Sequence, residues 1–405
     1  MTNRCAVTAL ATLSGLALPA FAQSAPDLSR ELIADAANRS SLSAAAGGGW
    51  EKGAFFISDG GANTLTPYGF MQFRYLMNLR DEDSAGDQDD FTHGFQTRRS
   101  RLGMKGTVWS KNLSFDILGE FSRSSGTFGL LDAYAQYKFE NNMTIKWGQN
   151  KVPLLREEIV SDTKQLTVER STVNSVFTQG RSQLVQIGYQ GETFRGSAAI
   201  SDGLNTLNTD FNSASEADYA FTARGEFRWG KGDWKRFDDN VSWRGSEYGG
   251  MFGGAVHFQD GGETGGTTDT QVLEATIDAS MEGNGWNLFA AAIWRNTDAS
   301  GSDADDFGAV LQGGYLVTDQ LEVFLRYDGI FPDDDTGGDD FHTLTGGVNY
   351  YISPESHAAK FSAEVQYYFD AEDAAGIISP STGSNLLSDT EDGQVALLLQ
   401  MQVMF

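Results

Sequence analysis

The sequence predicts an all-β fold: a transmembrane, antiparallel, up-and-down β-barrel of about sixteen strands with a short N-terminal helical leader. Three observations predict it. The chain ends in a strict alternation, with Val395, Leu397, Leu399, Met401, Val403 and Phe405 on one side. Gln394, Gln400 and Gln402, joined by Ala396, Leu398 and Met404, fall on the other. Successive side chains of a strand point to opposite faces, so this segment has an apolar face and a mostly polar one. Alternating segments of this kind recur from Thr64 onward, and their charged residues share one parity.

The amino terminus sets the compartment. Arg4 opens a short basic region, Ala6 to Leu18 is mostly apolar, and Ala20-Phe21-Ala22 is a small-x-small cleavage site. Residues 1–22 therefore read as a secretory signal peptide cleaved after Ala22, too short to span a bilayer as a helix. The single cysteine, Cys5, leaves with it, so no disulfide or thiol chemistry is expected. Its position well upstream of the cut argues against a lipoprotein anchor. Residues 23–52 read as a periplasmic leader. Within it Asp27 to Ala46 has a helical stripe of Leu28, Leu32, Ile33 and Ala36, stopped by Gly47-Gly48-Gly49. Flexible leader and small oligomerising helix are both open readings. Residues 53–405 form the barrel.

After Ala22 no run of roughly 18 apolar residues appears, so spanning by helices is excluded. Only alternate residues of a barrel strand touch lipid, which explains a soluble-looking composition. All seven prolines except Pro67, at the mouth of the first strand, lie in the signal, the leader or expected connections. Proline has no N–H for a ladder, so this placement fits.

The expected strands are 64–80, 93–109, 112–122, 127–140, 143–151, 181–190, 193–202, 216–229, 248–259, 270–281, 285–296, 306–318, 320–330, 341–352, 358–369 and 393–405. A tilted membrane strand needs about 9–11 residues. Their connections alternate: short ones such as Ser110-Lys111 and Asp319, long ones at 81–92, 152–180, 203–215, 260–269, 297–305, 331–340 and 370–392. Short periplasmic turns and long outer loops are what a membrane barrel produces. Residues 123–126 are unexpectedly short and 230–247 unexpectedly long. An even strand count puts both termini in the periplasm.

Charge parity separates a membrane barrel from a soluble one, because Lys or Arg on the lipid face near mid-membrane costs about 2–4 kcal/mol. Arg74, Arg99, Arg101, Lys105, Lys146, Arg195, Arg224, Arg326 and Lys360 share the polar face with Asp116, Glu120, Asp132, Glu226 and Glu364. A charged interior implies a water-filled lumen. Aromatic residues of the other face, such as Trp147, Trp229, Tyr327 and Phe405, lie mostly near strand ends, as interfacial girdles do.

Two constellations could carry function. Arg99, Arg101 and Lys105 stack along one face of one strand, with Arg74 on its neighbour. Such a ladder would attract anions and pass them along; alternatively it pairs with Asp116, Glu120 and Asp132 to hold the wall. The loop from Lys151 to Gly180 carries core-type residues (Leu154, Leu155, Ile159, Val173, Val176, Phe177) and should fold onto something, most simply into the lumen.

These segments resemble the phosphate-selective porin O and P family. The resemblance rests on Gln72-Phe73-Arg74, Arg98 to Gly106, Gly148-Gln149-Asn150-Lys151-Val152-Pro153 leading into Arg156-Glu157, Glu169-Arg170-Ser171, and the terminal Phe405. It covers about residue 53 to the end. It implies a sixteen-stranded, trimeric outer-membrane porin constricted by loop 152–180. Arg74, Arg99, Arg101, Lys105, Lys146, Lys151 and Arg156 would be its pore-lining basic residues, with Asp116, Glu120 and Asp132 as acidic ones. The acidic positions make the lumen field mixed, so the family name alone does not set selectivity.

The formal charge of −26 excludes a nucleic-acid binder. Acidic stretches at Asp81–Asp90, Asp298–Asp306, Asp333–Asp340 and Glu372-Asp373 read as solvated outer loops, with calcium as a rival. None of His93, His257, His342 and His357 has an acid and a nucleophile at an informative spacing, and no phosphate loop, zinc or haem motif appears. No catalytic residue, cofactor or metal site is therefore expected. The expected function is passive diffusion of small polar or charged solutes, with mild anion preference. The rival is a non-conducting structural or adhesive barrel whose acidic loops bind cations or a surface partner. Expected partners are outer-membrane lipid and lipopolysaccharide, the barrel assembly machinery through the strand ending in Phe405, two further copies of the chain, and small anionic solutes.

Overall fold

The structure is a computed structural model. It describes residues 47–51, 54–80, 90–261, 270–299, 302–336, 338–372, 376–381 and 383–405. The signal peptide, the helical stripe Asp27–Ala46 and most of the acidic stretch 81–90 lie outside the described residues.

Two short strands, β1 (Gly47–Glu51) and β2 (Ala54–Ser58), precede the barrel. Gly47-Gly48-Gly49, expected to stop a helix, opens β1. The barrel staves are β3 (Thr64–Leu79), β4 (Phe91–Val108), β5 (Ser110–Phe121), β6 (Phe128–Lys138), β7 (Met143–Lys151), β8 (Arg181–Gln190), β9 (Phe194–Ser201) and β10 (Tyr219–Gly230). They continue as β11 (Gly249–Asp260), β12 (Thr270–Gly283), β13 (Trp286–Ala299), β14 (Ser302–Leu316), β15 (Leu321–Phe331), β16 (Phe341–Tyr351), β17 (Ala359–Tyr368) and β18 (Val395–Met404). Each pairs antiparallel with the next, and β18 returns to β3, closing a sixteen-stranded barrel. Closure leaves no strand edge unpaired, which a lipid environment requires. At the seam Phe405 and Gly69 exchange backbone hydrogen bonds of 3.0 and 2.9 Å.

Lipid-side and lumen-side residues alternate as charge parity requires. In β18, Ala396, Leu398, Gln400 and Gln402 are buried inside, whereas Leu399, Val403 and Phe405 are exposed outside. Turn chemistry fits the short connections. Asn284 and Gly285 both have positive φ (44° and 88°), the two-residue type I′ geometry that joins β12 to β13 without splaying them.

One expected outer loop is not a loop. β13 and β14 stay paired out to Ala299 and Ser302, so 297–299 and 302–305 are strand ends that continue the pair. Cross-strand bonds hold its acidic residues: Asn296 Nδ2 donates to Asp303 at 2.7 Å, and Trp294 Nε1 to Asp305 at 2.9 Å. Aspartate reads as a loop signal in sequence, but paired donors on the neighbouring strand satisfy it here.

The interior departs from a uniformly open lumen. On the β11–β18 side, inward residues are often apolar: Phe289, Ile293, Val310, Ile330, Phe341 and Leu398. They pack against Leu154, Leu155, Val168, Val173 and Phe177 of the segment between β7 and β8. Burying each such side chain stabilises the fold by about 1.5–3 kcal/mol. Two further segments add to the filling. Ile378 and Leu386, between β17 and β18, pack into the same core at the loop end. The long connection between β10 and β11 forms a 3-10 turn, Trp234–Asp238, and buries Trp234, Phe237 and Val241 at the turn end. One side of the barrel is thus protein core, and the other is left open.

Candidate pore and its loop anchor

The loop between β7 and β8 begins at a strained point. Gly148, just before it, has φ +117°, and a Cβ there would stand 2.2 Å from the carbonyl oxygen of Ala133. Only glycine tolerates both the conformation and that approach. The chain then forms helix α1 (Arg156–Ile159), a 3-10 turn at Asp162–Lys164 and helix α2 (Thr172–Phe177). Ser171 caps α2 by accepting from Asn174 N at 2.9 Å, and its hydroxyl donates to Glu157 at 2.6 Å.

Two loop carboxylates meet the arginines of β3 and β4. Glu169 accepts from Arg74 Nη1 at 2.8 Å, from Arg99 Nη2 at 2.7 Å, and from Arg98 Nε. Asp162 accepts from Arg101, and from Arg170 at 2.5 Å, with Arg99 Nη2 3.3 Å away. Arg101 also binds Glu120. Burial opposes ionisation of Glu169, but Arg74, Arg99 and Arg98 outweigh it and hold its carboxyl well below the usual carboxylate range. Asp162 is held low against the same opposition by Arg170, Arg99 and Arg101. From the far wall, Arg326 donates to Thr167 and to Glu169 O, Asp328 accepts from Thr172 N, and Glu364 accepts from Val168 N.

The expected pore residues therefore divide. Arg74 (fully buried), Arg99 and Arg101 surround loop carboxylates, so this part of the ladder secures the loop, and Arg99 also borders a space of about 140 Å³ with Arg98, Glu169 and Arg170. Arg156 is buried in the seam between α1 and the wall, and makes no ion pair among the described residues. Lys105 is exposed toward the lumen, with its ammonium 5.1 Å from the centre of the Tyr68 ring. Asp116 accepts from Tyr68 Oη, and Asp132 holds Arg181 through 2.8 and 3.0 Å bonds. Lys146 lies over Tyr134 at 4.8 Å. Lys151 donates to Glu158 O at 2.5 Å.

Lys146 and Lys151 border a cavity of about 490 Å³ between the β6–β10 wall and the loop. Arg195, Arg224, Glu226 and Asp238 complete its charged lining. Arg224 is bound to Glu226 and Asp278, and Arg195 to Glu226 and Asp238. Parity places Arg195 and Arg224 on the lumen face without singling them out. It misses Arg98, because strict alternation puts that residue on the lipid side. An arginine at lipid parity, beside one at lumen parity, is the signal that points to a β-bulge, and the β3–β4 register does shift between Gln72 and Phe73. Among the described residues no three His, Cys, Asp or Glu side chains come together as metal ligands.

A closed sixteen-stranded barrel with charged residues inside and an apolar belt outside is the architecture of an outer-membrane porin. The chain belongs to the phosphate-selective porin O and P family, whose sequence profile matches residues 72–376. No curated protein shows significant sequence similarity to it. Solved structures of similar fold include the anion-selective porin from Comamonas acidovorans, with TM-score 0.57 and 16% identity over 85% of this chain and 100% of that one. OmpT of Vibrio cholerae in its trimer form gives TM-score 0.56 and 15% identity over 85% and 100%. The outer membrane channel DcaP of Acinetobacter baumannii gives 0.55 and 16% over 85% and 98%. At these identities the likeness is one of fold.

Proposed function

We propose that the chain is a passive diffusion porin of the outer membrane, acting as a homotrimer, with loop 152–180 as constriction and a mild preference for anions. The route runs off-centre, along the β4–β10 side that the core leaves open. The observation that carries this reading is the charge of the β6–β10 cavity. Its lining holds Lys146, Lys151, Arg195 and Arg224 with Glu226 and Asp238; Arg224 and Lys151 also pair with Asp278 and Glu158, which leaves Lys146 as the lining cation without an ion pair among the described residues. Low-dielectric walls focus such a field and raise the local concentration of anions. Lys105 and Lys146 supply the cations least committed to protein carboxylates, the first toward the turn end and the second within the cavity. The homotrimer draws support from the trimeric OmpT structure, and the anion preference from the fold shared with the anion-selective Comamonas porin. Lipopolysaccharide and the assembly machinery, engaged through the strand ending in Phe405, complete the reading, as does cleavage after Ala22.

The test is the zero-current potential of the purified protein in a planar bilayer across a potassium chloride gradient. Stepwise openings with the sign of chloride permeation are expected. A potential of cation sign would remove the anion preference, and a closed barrel would favour the structural or adhesive reading instead.

A further inference from the structure

The neutral polar side chains of the lumen fall into two sets. On the packed side many are engaged, although Gln312 Nε2 and the Thr343 and Thr345 hydroxyls are buried without a partner among the described residues. Gln72 donates to Gln402 at 2.9 Å, Gln400 accepts from Arg74, Asn349 donates to Glu322 at 3.0 Å, and Gln366 donates to Glu364 at 2.7 Å. On the open side Tyr134, Gln136, Thr144, Asn150, Gln186 and Ser197 line the cavity, and among the described residues none of these six side chains makes a hydrogen bond to the protein. The ladder register brings them together. Gln136 lies opposite Lys146, and Lys146 opposite Gln186, so three strands place amide, ammonium and amide at one height. Among the described residues Lys146 makes no ion pair.

From this juxtaposition we infer that the cavity takes a small hydroxylated organic anion, of the sugar-acid type, in preference to a bare inorganic oxyanion. This rests on the porin reading above and names its solute class. An inorganic oxyanion accepts hydrogen bonds and is best met by a dense set of donors. Among the described residues the one lining cation without an ion pair, the Lys146 ammonium, stands among three amides and three hydroxyls, and every one of those six groups can accept as well as donate. Their acceptor atoms gain nothing from phosphate, whereas hydroxyl groups of a solute satisfy donors and acceptors together. The carboxylate goes to Lys146 and the hydroxyls to the amides on either side. The cavity volume of about 490 Å³ suits a solute of this kind that sheds part of its water on the way through.

The experiment measures the reduction of potassium chloride current through the full-length protein in a planar bilayer by gluconate, hexanoate, sorbitol and inorganic phosphate. Hexanoate matches gluconate in carbon count and charge without hydroxyls; sorbitol has the hydroxyls without the charge. Gluconate is expected to halve the current at about one-tenth the concentration of either, the effect of one or two net hydrogen bonds. Gln136→Leu with Gln186→Leu should bring gluconate to the level of hexanoate while chloride current persists. Lys146→Gln should weaken gluconate and leave sorbitol unchanged. Equal action of hexanoate and gluconate, or stronger action of phosphate, overturns the inference and leaves the porin reading standing. Absence of any chloride current overturns both.

Discussion

Arg98 and Arg99 are consecutive residues of one strand, yet both side chains reach the same carboxylate, that of Glu169. Regular alternation forbids this, and the bulge opposite Gln72 and Phe73 permits it by adding one unpaired residue. The bulge also reverses the parity of β4 beyond it, so that Phe95 lies outside, 73% exposed and stacked on Phe73 at 5.6 Å.

Glu169→Gln should loosen the loop. It removes the charge that three arginines share, and breaking a buried ion pair costs about 3–5 kcal/mol. The expected result is a larger, noisier single-channel conductance, with the barrel still folded by its resistance to detergent before heating. Unchanged conductance would show that the apolar core alone holds the loop.

Lys146→Gln should move the zero-current potential toward zero without altering stability. Its ammonium makes no ion pair among the described residues, so its removal orphans no carboxylate. Arg99→Gln should instead act mainly on conductance noise, because that guanidinium is taken up by Glu169 and Asp162. Equal shifts of potential in the two variants would contradict this division.

The loop anchor should survive mild acid. Glu169 and Asp162 have depressed pKa values in the folded protein, so their contribution is fully present above the ordinary carboxylate range and is lost only as pH falls through the lower folded values. Conductance should be the same at pH 7 and at about pH 5, above the ordinary carboxylate pKa of about 4. A rise in conductance at about pH 5 would show that these groups are released earlier.

Gly148→Ala should impair folding. The substitution forces a positive φ on a residue with a side chain and drives its Cβ into Ala133, a strain of at least about 1–3 kcal/mol. The yield of heat-modifiable barrel measures it, and Gly129→Ala, where nothing lies within 4 Å of the added Cβ, is the control.

The staves are legible in the sequence because one physical rule, lipid outside and water or protein inside, repeats along the whole chain. Met143–Lys151 and Arg181–Gln190 coincide with the observed strands, and the other spans differ mainly at their ends. The inward fold of the Lys151–Gly180 segment is legible too, from Leu154, Leu155 and Phe177, which need a dry partner. That partner is not legible. Val310 lies in a segment, near 306–317, whose alternation is weak, because a strand with apolar residues on both faces loses its period, and Phe289 and Ile293 do not announce in sequence that they face a folded loop. Nor can parity reveal which lumen arginines and lysines stay available. Arg74 and Lys146 look alike in sequence, and only the path of Glu169 across the barrel separates them. The pairing of 297–299 with 302–305 is lost because its aspartates satisfy the rule for loops as well as that for paired polar edges.

The off-centre core has a consequence for how such a chain can change. On the proposed route, the apolar packing lies in one arc of the circumference and solute contact in the other. Substitutions at Gln136, Asn150, Gln186 or Ser197 would revise what the pore admits without disturbing the packing that keeps it standing. A lineage, or an engineer building a sensing pore, can therefore retune one arc repeatedly on an unaltered frame.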